Sequence, residues 1–140
     1  MPDVTILLVE DNPDDAALTE IALRGLPVQL EVARDGQEAL DYLFNDANDL
    51  PRLVLLDLRL PNIDGLEVLR HIRENERTRV TPVVILTSSA APDDVVTGYR
   101  YGANSYVRKP LEFDEFSGLV RQLGSYWLTV NEPLPNTSRQ

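Results

Sequence analysis

Five short apolar runs, each followed by a stretch with helical spacing, constrain this chain more than any other feature. The runs are Thr5–Val9, Leu30–Ala33, Leu53–Leu56, Pro82–Leu86 and Ser105–Arg108. The central ones are apolar at successive positions rather than alternate ones, so both faces of those strands must be covered. Helical spacing runs over Ala16–Leu26, Gln37–Phe44, Leu66–Asn75, Asp93–Tyr101 and Phe113–Leu128, with Gly98 and Gly102 making the fourth irregular. Buried strands alternating with helices describe an α/β fold, a parallel sheet between two helix layers. Right-handed crossovers favour the doubly wound strand order 2-1-3-4-5. Ligands of such sheets sit beyond the carboxyl ends of the strands, where the winding reverses between the first and third.

The residues at those ends are chemically selective. The first strand is followed by Glu10 and Asp11, the third by Asp57, the fourth by Thr87 and Ser88, and the fifth by Lys109. Lys109 is the only lysine among 13 basic residues, so a compact ammonium stands at one place only. An ammonium is a point charge suited to a single phosphate oxygen, whereas guanidinium is a planar fork. Two like-charged carboxylates about 5 Å apart cost roughly 3 kcal/mol at an effective dielectric of about 20, which a bound cation offsets. Oxygen donors without His or Cys select a hard ion, and Mg²⁺ is held by one or two carboxylates plus a phosphate. A carboxylate can also act as a nucleophile and form an acyl phosphate, and Asp57 is placed centrally for that role. Lys109, the Thr87 hydroxyl and backbone N–H groups would then meet the phosphoryl oxygens.

Composition excludes several classes. The 140 residues suffice for one domain with a real core. A formal net charge of −10 disfavours nucleic acid and anionic membranes as partners. Without cysteine there is no disulfide or thiolate chemistry. No apolar run approaches the roughly 20 residues of a membrane span, and Met1-Pro2-Asp3 does not open a signal peptide. A cytoplasmic location is expected.

These residues carry a resemblance. Leu7–Asn12, Leu55–Pro61 with Asp64-Gly65, Ile85–Ser88, Gly102-Ala103 and Tyr106–Pro110 together resemble the receiver domain of two-component response regulators, over about residues 4–128. The resemblance implies a flavodoxin-like (βα)5 three-layer sandwich. It implies that Asp57 accepts a phosphoryl group from the phosphohistidine of a sensor histidine kinase. Asp11, Asp57 and the backbone carbonyl of Arg59 would hold Mg²⁺, with Glu10 reaching it through water. Thr87 and Tyr106 would be the switch pair, Lys109 would contact the phosphoryl group, and the Lys109–Pro110 bond would be cis. Asp11–Asp15, the Asn75–Arg79 insert, Tyr126-Trp127-Leu128 and Val130–Pro133 are similar to single-domain regulators that accompany bacterial phytochrome kinases. Arg59, two residues past the acceptor, departs from common receivers; its long cationic side chain could lie over the acyl phosphate.

Two other functions compete with this one. A Mg²⁺-dependent phosphatase with an aspartyl-phosphate intermediate, of the haloacid-dehalogenase type, carries a second Asp where Arg59 stands here. An adaptor independent of phosphorylation would have no use for the pocket. Residues 129–140 read as a polar tail too short for an output domain, and a DNA-binding role is not expected. His71, the lone histidine, reads as a solvent-facing helix residue. The last helix carries a core stripe of Phe113, Phe116, Val120, Leu123 and Trp127. Leu119, Tyr126 and Leu128 lie off that stripe, next to Tyr99, Tyr101 and Val107, which points to a homodimer through this helix and its neighbours.

Overall fold

The chain runs β1 (Val4–Val9), α1 (Pro13–Ala22), β2 (Val28–Ala33), α2 (Gly36–Leu43), β3 (Leu53–Leu56) and α3 (Gly65–Glu74). It continues through β4 (Val83–Thr87), α4 (Pro92–Arg100), β5 (Ser105–Arg108) and α5 (Phe113–Ser125), which a π-helical turn, Tyr126–Val130, extends. This computed structural model describes residues 4–135; Met1-Pro2-Asp3 and the last five residues of the tail lie outside the described residues. The five strands form one parallel sheet of order β2-β1-β3-β4-β5, the doubly wound topology expected.

Strand side chains alternate between two cores. Leu7, Val9, Val54, Leu56, Val83 and Ile85 pack toward α2 and α3. Ile6, Leu8, Leu53, Leu55, Val84 and Leu86 pack toward α1 and α5. Burying each such side chain contributes about 1.5–3 kcal/mol. In register, Val9 stands beside Leu56 and Leu56 beside Ile85. The ends of β1 and β3 are therefore level, β4 runs on to Thr87 beside Arg108 of β5, and the residues that follow these strands share one edge of the sheet.

Several boundaries differ from the sequence reading, each for a local reason. Helix α1 begins at Pro13, before the expected Ala16. Asn12 Oδ1 accepts the N–H groups of Asp14 (2.9 Å) and Asp15 (3.2 Å), and Pro13 suits the first helical position. It ends at Ala22 rather than Leu26, because Gly25 turns at φ 89° and Arg121 of α5 donates to the carbonyls of Ala22 (3.1 Å) and Arg24 (2.8 Å). Helix α4 is regular despite Gly98. A Cβ there would come within 2.8 Å of Ile85 Cδ1 and 3.2 Å of Tyr106 Cδ2, so glycine allows close packing. Gly102 lies beyond the helix at φ 103°.

The α5 stripe holds at Phe116 and Val120, which are buried, and at Leu123 and Trp127, which pack against them. Phe113 does not join it: at the helix start it is 57% exposed. Leu119 and Leu128 turn out to pack on the core; the wider π turn re-aims the residues that follow Ser125. The Asn75–Arg79 insert is anchored by Arg77, which donates to Asn48 O (2.6 Å), and by the buried Thr78 hydroxyl, which donates to Ile72 O (2.7 Å). Arg73 clamps α3 to the strand loops by donating to Gly102 O (2.9 Å), Thr81 O (2.7 Å) and Asn104 Oδ1 (2.9 Å).

Gly65 opens α3 directly beneath the end of β3, its N–H donating to Leu58 O at 3.0 Å. A Cβ at this position would collide with the Asp57 carbonyl oxygen and stand 2.6 Å from Leu58 Cα. These are backbone atoms that no rotamer change can clear. Gly65→Ala should lower unfolding stability by about 2–4 kcal/mol, read as a lower denaturant midpoint at unchanged slope.

Candidate functional site

The edge formed by the strand ends brings Glu10, Asp11, Asp57 and Lys109 together. Glu10 is buried at the end of β1, and its N–H donates to Ala33 O (2.9 Å), which holds it in the sheet. Asp57 is buried after β3, its N–H donating to Val9 O (3.1 Å). Asp57 Oδ1 accepts from the Leu58 N–H (2.7 Å) and, at 3.4 Å, from the Arg59 N–H. Lys109 leaves β5 with its N–H donating to Thr87 O at 2.7 Å, so the side chain is directed back across the sheet.

The Lys109 ammonium donates to three carboxylates: Glu10 Oε1 (2.6 Å), Asp15 Oδ2 (2.9 Å) and Asp57 Oδ2 (3.0 Å). Burial pulls its pKa down, but the hydrogen bonds to Glu10 and Asp15 and the charges of Asp57 and Glu10 outweigh it and hold the pKa above the ordinary lysine value. Burial is also the largest influence on Glu10. Against the pull of Lys109, and with the Asp57 charge adding to it, burial pushes the Glu10 carboxyl up to about 7.

Glu10, Asp11 and Asp57 each offer a carboxylate oxygen, and these oxygens lie within 4.8 Å of one another. An all-oxygen set of this charge, with Asp11 exposed toward solvent, fits a hard divalent cation. Beside it lies a cleft of about 370 Å³ lined by Asp11, Leu58, Arg59, Leu60, Pro61, Asp64, Leu66 and Asp94. The Arg59 side chain does not lie over Asp57. It is 73% exposed and pairs with Asp94 Oδ2 of α4 at 3.4 Å.

Thr87 is fully buried at the end of β4, and its hydroxyl oxygen accepts from the Ser89 N–H at 3.4 Å. The Tyr106 hydroxyl donates to Ser89 O (2.9 Å), and burial pushes its pKa up. Ser89 Oγ in turn donates to Asp94 Oδ2 (2.5 Å). Thr87, Tyr106 and Arg59 therefore all connect through the loop that carries Ser89 and through Asp94, which the sequence reading did not single out. Asp15 was also missed as a site residue. Its signal was available, since it lies four residues after Asp11 at the start of a helix and a lone lysine needs acidic company. The Lys109–Pro110 bond is trans, not cis: the described residues contain no cis peptide. Trans is the intrinsic preference even before proline, and Lys109 reaches the carboxylates in that form. His71 is half-exposed with Nε2 3.7 Å from Glu67, a solvent-facing residue as expected.

The response regulator receiver domain model matches residues 6–121. The chain belongs to this receiver family. It shares 47% identity over 131 residues with the Probable methanogenesis regulatory protein FilR2 of Methanothrix harundinacea, covering 90% of this chain and 84% of that protein. With the response regulator Rcp1 of Synechocystis it shares 37% over 139 residues, covering 94% and 95%. The crystal structure of the Mn²⁺-bound form of Rcp1 superposes with a TM-score of 0.88 at 34% identity, covering 94% of this chain and 99% of that one. That of the phosphorylated cyanobacterial phytochrome response regulator RcpA gives 0.89 at 34% identity, covering 95% and 99%. This receiver is thus a response regulator of two-component signalling, similar in sequence and fold to phytochrome response regulators. No helix among its described residues is long and apolar enough to cross a membrane.

The raised Glu10 pKa predicts a pH signature in the metal-free receiver. A carboxyl raised from 4.5 in the unfolded chain to about 7 in the fold destabilises nothing below pH 4.5 and imposes its full cost above pH 7. Lys109 contributes a constant over that range, because its pKa is high in both states. In the presence of a chelator, Glu10→Gln should match wild type near pH 4.5 and exceed it by on the order of 1–3 kcal/mol at pH 8 in urea unfolding.

Proposed function

We propose that this receiver accepts a phosphoryl group on Asp57 from the phosphohistidine of a sensor histidine kinase, in a Mg²⁺-dependent reaction, and changes its surface in response. The observation that carries this reading is a buried carboxylate held from both sides. Asp57 Oδ1 is fixed by the Leu58 N–H and Oδ2 by the Lys109 ammonium, beside Glu10 and Asp11.

An Asp57 carboxylate oxygen attacks phosphorus, an O–P bond forms, and the P–N bond to the kinase histidine breaks. The electron pair of that bond returns to the imidazole, and the product is an aspartyl phosphate. Fixing Asp57 through backbone and ammonium donors restricts it to one orientation, which lowers the entropic part of the barrier. Lys109 and the Thr87 hydroxyl are the donors for the phosphoryl oxygens. Asp11, Asp57 and the carbonyl of Arg59 would hold Mg²⁺, with Glu10 acting through water; when bound, the ion supplies neutralisation of the phosphoryl charge. Thr87 turning toward the phosphoryl group would withdraw its oxygen from Ser89 and free Tyr106 to move inward. The protein is then an acceptor that releases its phosphate slowly to water, with no other substrate.

Similarity to the phytochrome regulators RcpA and Rcp1 supports a bacteriophytochrome kinase as the partner and the cytoplasm as the location. In this reading residues 4–128 make up the receiver unit and 129–140 are its C-terminal tail, of which 136–140 lie outside the described residues. Tyr126, Val130 and Leu134 are 45%, 68% and 64% exposed, an apolar surface in keeping with a homodimer through α5, its π turn and neighbouring elements.

Incubation with phosphoramidate and Mg²⁺ should add one phosphate to the wild type by intact mass and none to Asp57→Asn or to wild type in chelator. Absence of Mg²⁺-dependent phosphate on the wild type would sink this function. Equilibrium sedimentation should show a dimer at high micromolar concentration; a monomer, whether phosphorylated or not, would rule out the self-association.

A further inference from the structure

An ammonium has three N–H bonds, and in Lys109 all three are engaged. Two of the acceptors, Glu10 and Asp57, belong to the pocket that the phosphoacceptor reading already uses. The third, Asp15, belongs to α1 and is not among the three carboxylates grouped around a metal position. We infer that Asp15 is a positioning residue: it holds the Lys109 ammonium in the resting pocket and yields it to a phosphoryl oxygen on Asp57. This rests on the phosphoacceptor reading and adds to it.

Asp15 is held firmly enough for the role. Its N–H donates to Asn12 Oδ1 (3.2 Å), and its carbonyl accepts from the Thr19 hydroxyl (2.8 Å), with Thr19 itself buried. The carboxylate is only 28% exposed, and the ammonium it meets is 9% exposed, so water replaces the contact poorly. Asp14, one residue earlier, has the same charge and the same cap but is exposed, and no contact joins it to Lys109.

With every donor filled, a phosphoryl oxygen can gain a Lys109 N–H only if one carboxylate gives it up. Glu10 makes the shortest bond, and Glu10 and Asp57 are 4% and 9% exposed against 28% for Asp15, so Asp15 is the carboxylate that water can best receive when the ammonium turns to the phosphoryl group. Asp15 also draws the ammonium away from Glu10 and Asp57, leaving their oxygens more available to a cation. Its removal should therefore have effects of opposite sign. The ammonium settles onto Glu10 and Asp57 and competes with Mg²⁺, while a more weakly held N–H and one fewer negative charge favour an anion.

The test is binding by titration calorimetry to wild type, Asp15→Asn and Asp14→Asn. The probes are Mg²⁺ alone and then beryllofluoride, a phosphoryl mimic, at saturating Mg²⁺. Asp15→Asn should weaken Mg²⁺ and tighten beryllofluoride, each by roughly threefold or more, the scale of a partly exposed charge pair. Asp14→Asn should move neither, and Asp15→Ser should reproduce the split should the amide variant fold poorly. A variant that weakens both ligands together, or leaves both unchanged, overturns the inference, as does an equal split in Asp14→Asn. Wild type that binds both ligands without a split in the variant refutes the role of Asp15 alone. Wild type that binds neither refutes the phosphoacceptor reading, and this inference with it.

Discussion

One ammonium holds the charged end of this fold together. Lys109 reaches from beyond β5, at the edge of the sheet, to carboxylates supplied by β1, α1 and β3, contacts that span 99, 94 and 52 residues of sequence. Glu10 and Asp57 are buried, and deleting the lysine would leave both uncompensated, which is far more costly than losing a surface pair. Other features serve this meeting point. The level strand ends bring Glu10 and Asp57 to one height. The Asn12 cap sets where α1 begins and hence where Asp15 stands, and Gly65 lets α3 pass directly beneath Asp57.

Much of this was legible in the sequence, because strand order and strand ends follow from short-range pattern. Runs such as Leu53–Leu56 had to be buried on both faces, and that choice placed Glu10, Asp11, Asp57 and Lys109 on one edge. What could not be read depends on side-chain reach between elements. The Asp15–Lys109 contact requires knowing how α1 leans over the sheet, and the Arg59–Asp94 pair requires the distance between two loops. Gly98 pointed to an irregular α4 when considered alone, yet its meaning lies in the Tyr106 ring and Ile85 beside it. The π turn at Tyr126–Val130 likewise has no simple periodic signal, so Leu128 was assigned to the wrong face.

Ser89 connects the buried pocket with the surface. Its N–H points to Thr87, its carbonyl accepts from Tyr106, and its hydroxyl donates to Asp94, which also holds Arg59. Thr87, Ser89, Tyr106, Asp94 and Arg59 are each joined to another member of this set, so a change at Thr87 cannot be absorbed silently. An unpaired buried donor or acceptor costs about 1–3 kcal/mol, enough to favour rearrangement of the whole set.

Helix α4 rests on the sheet through a glycine. Gly98 is its one buried residue, and Tyr99 and Val96 face outward, more than half exposed. A helix seated on a hydrogen atom, with a tyrosine ring for a neighbour, has little apolar area to lose by sliding or tilting. Among the five helices it is the one with the fewest buried residues, and so the one whose displacement costs the core least.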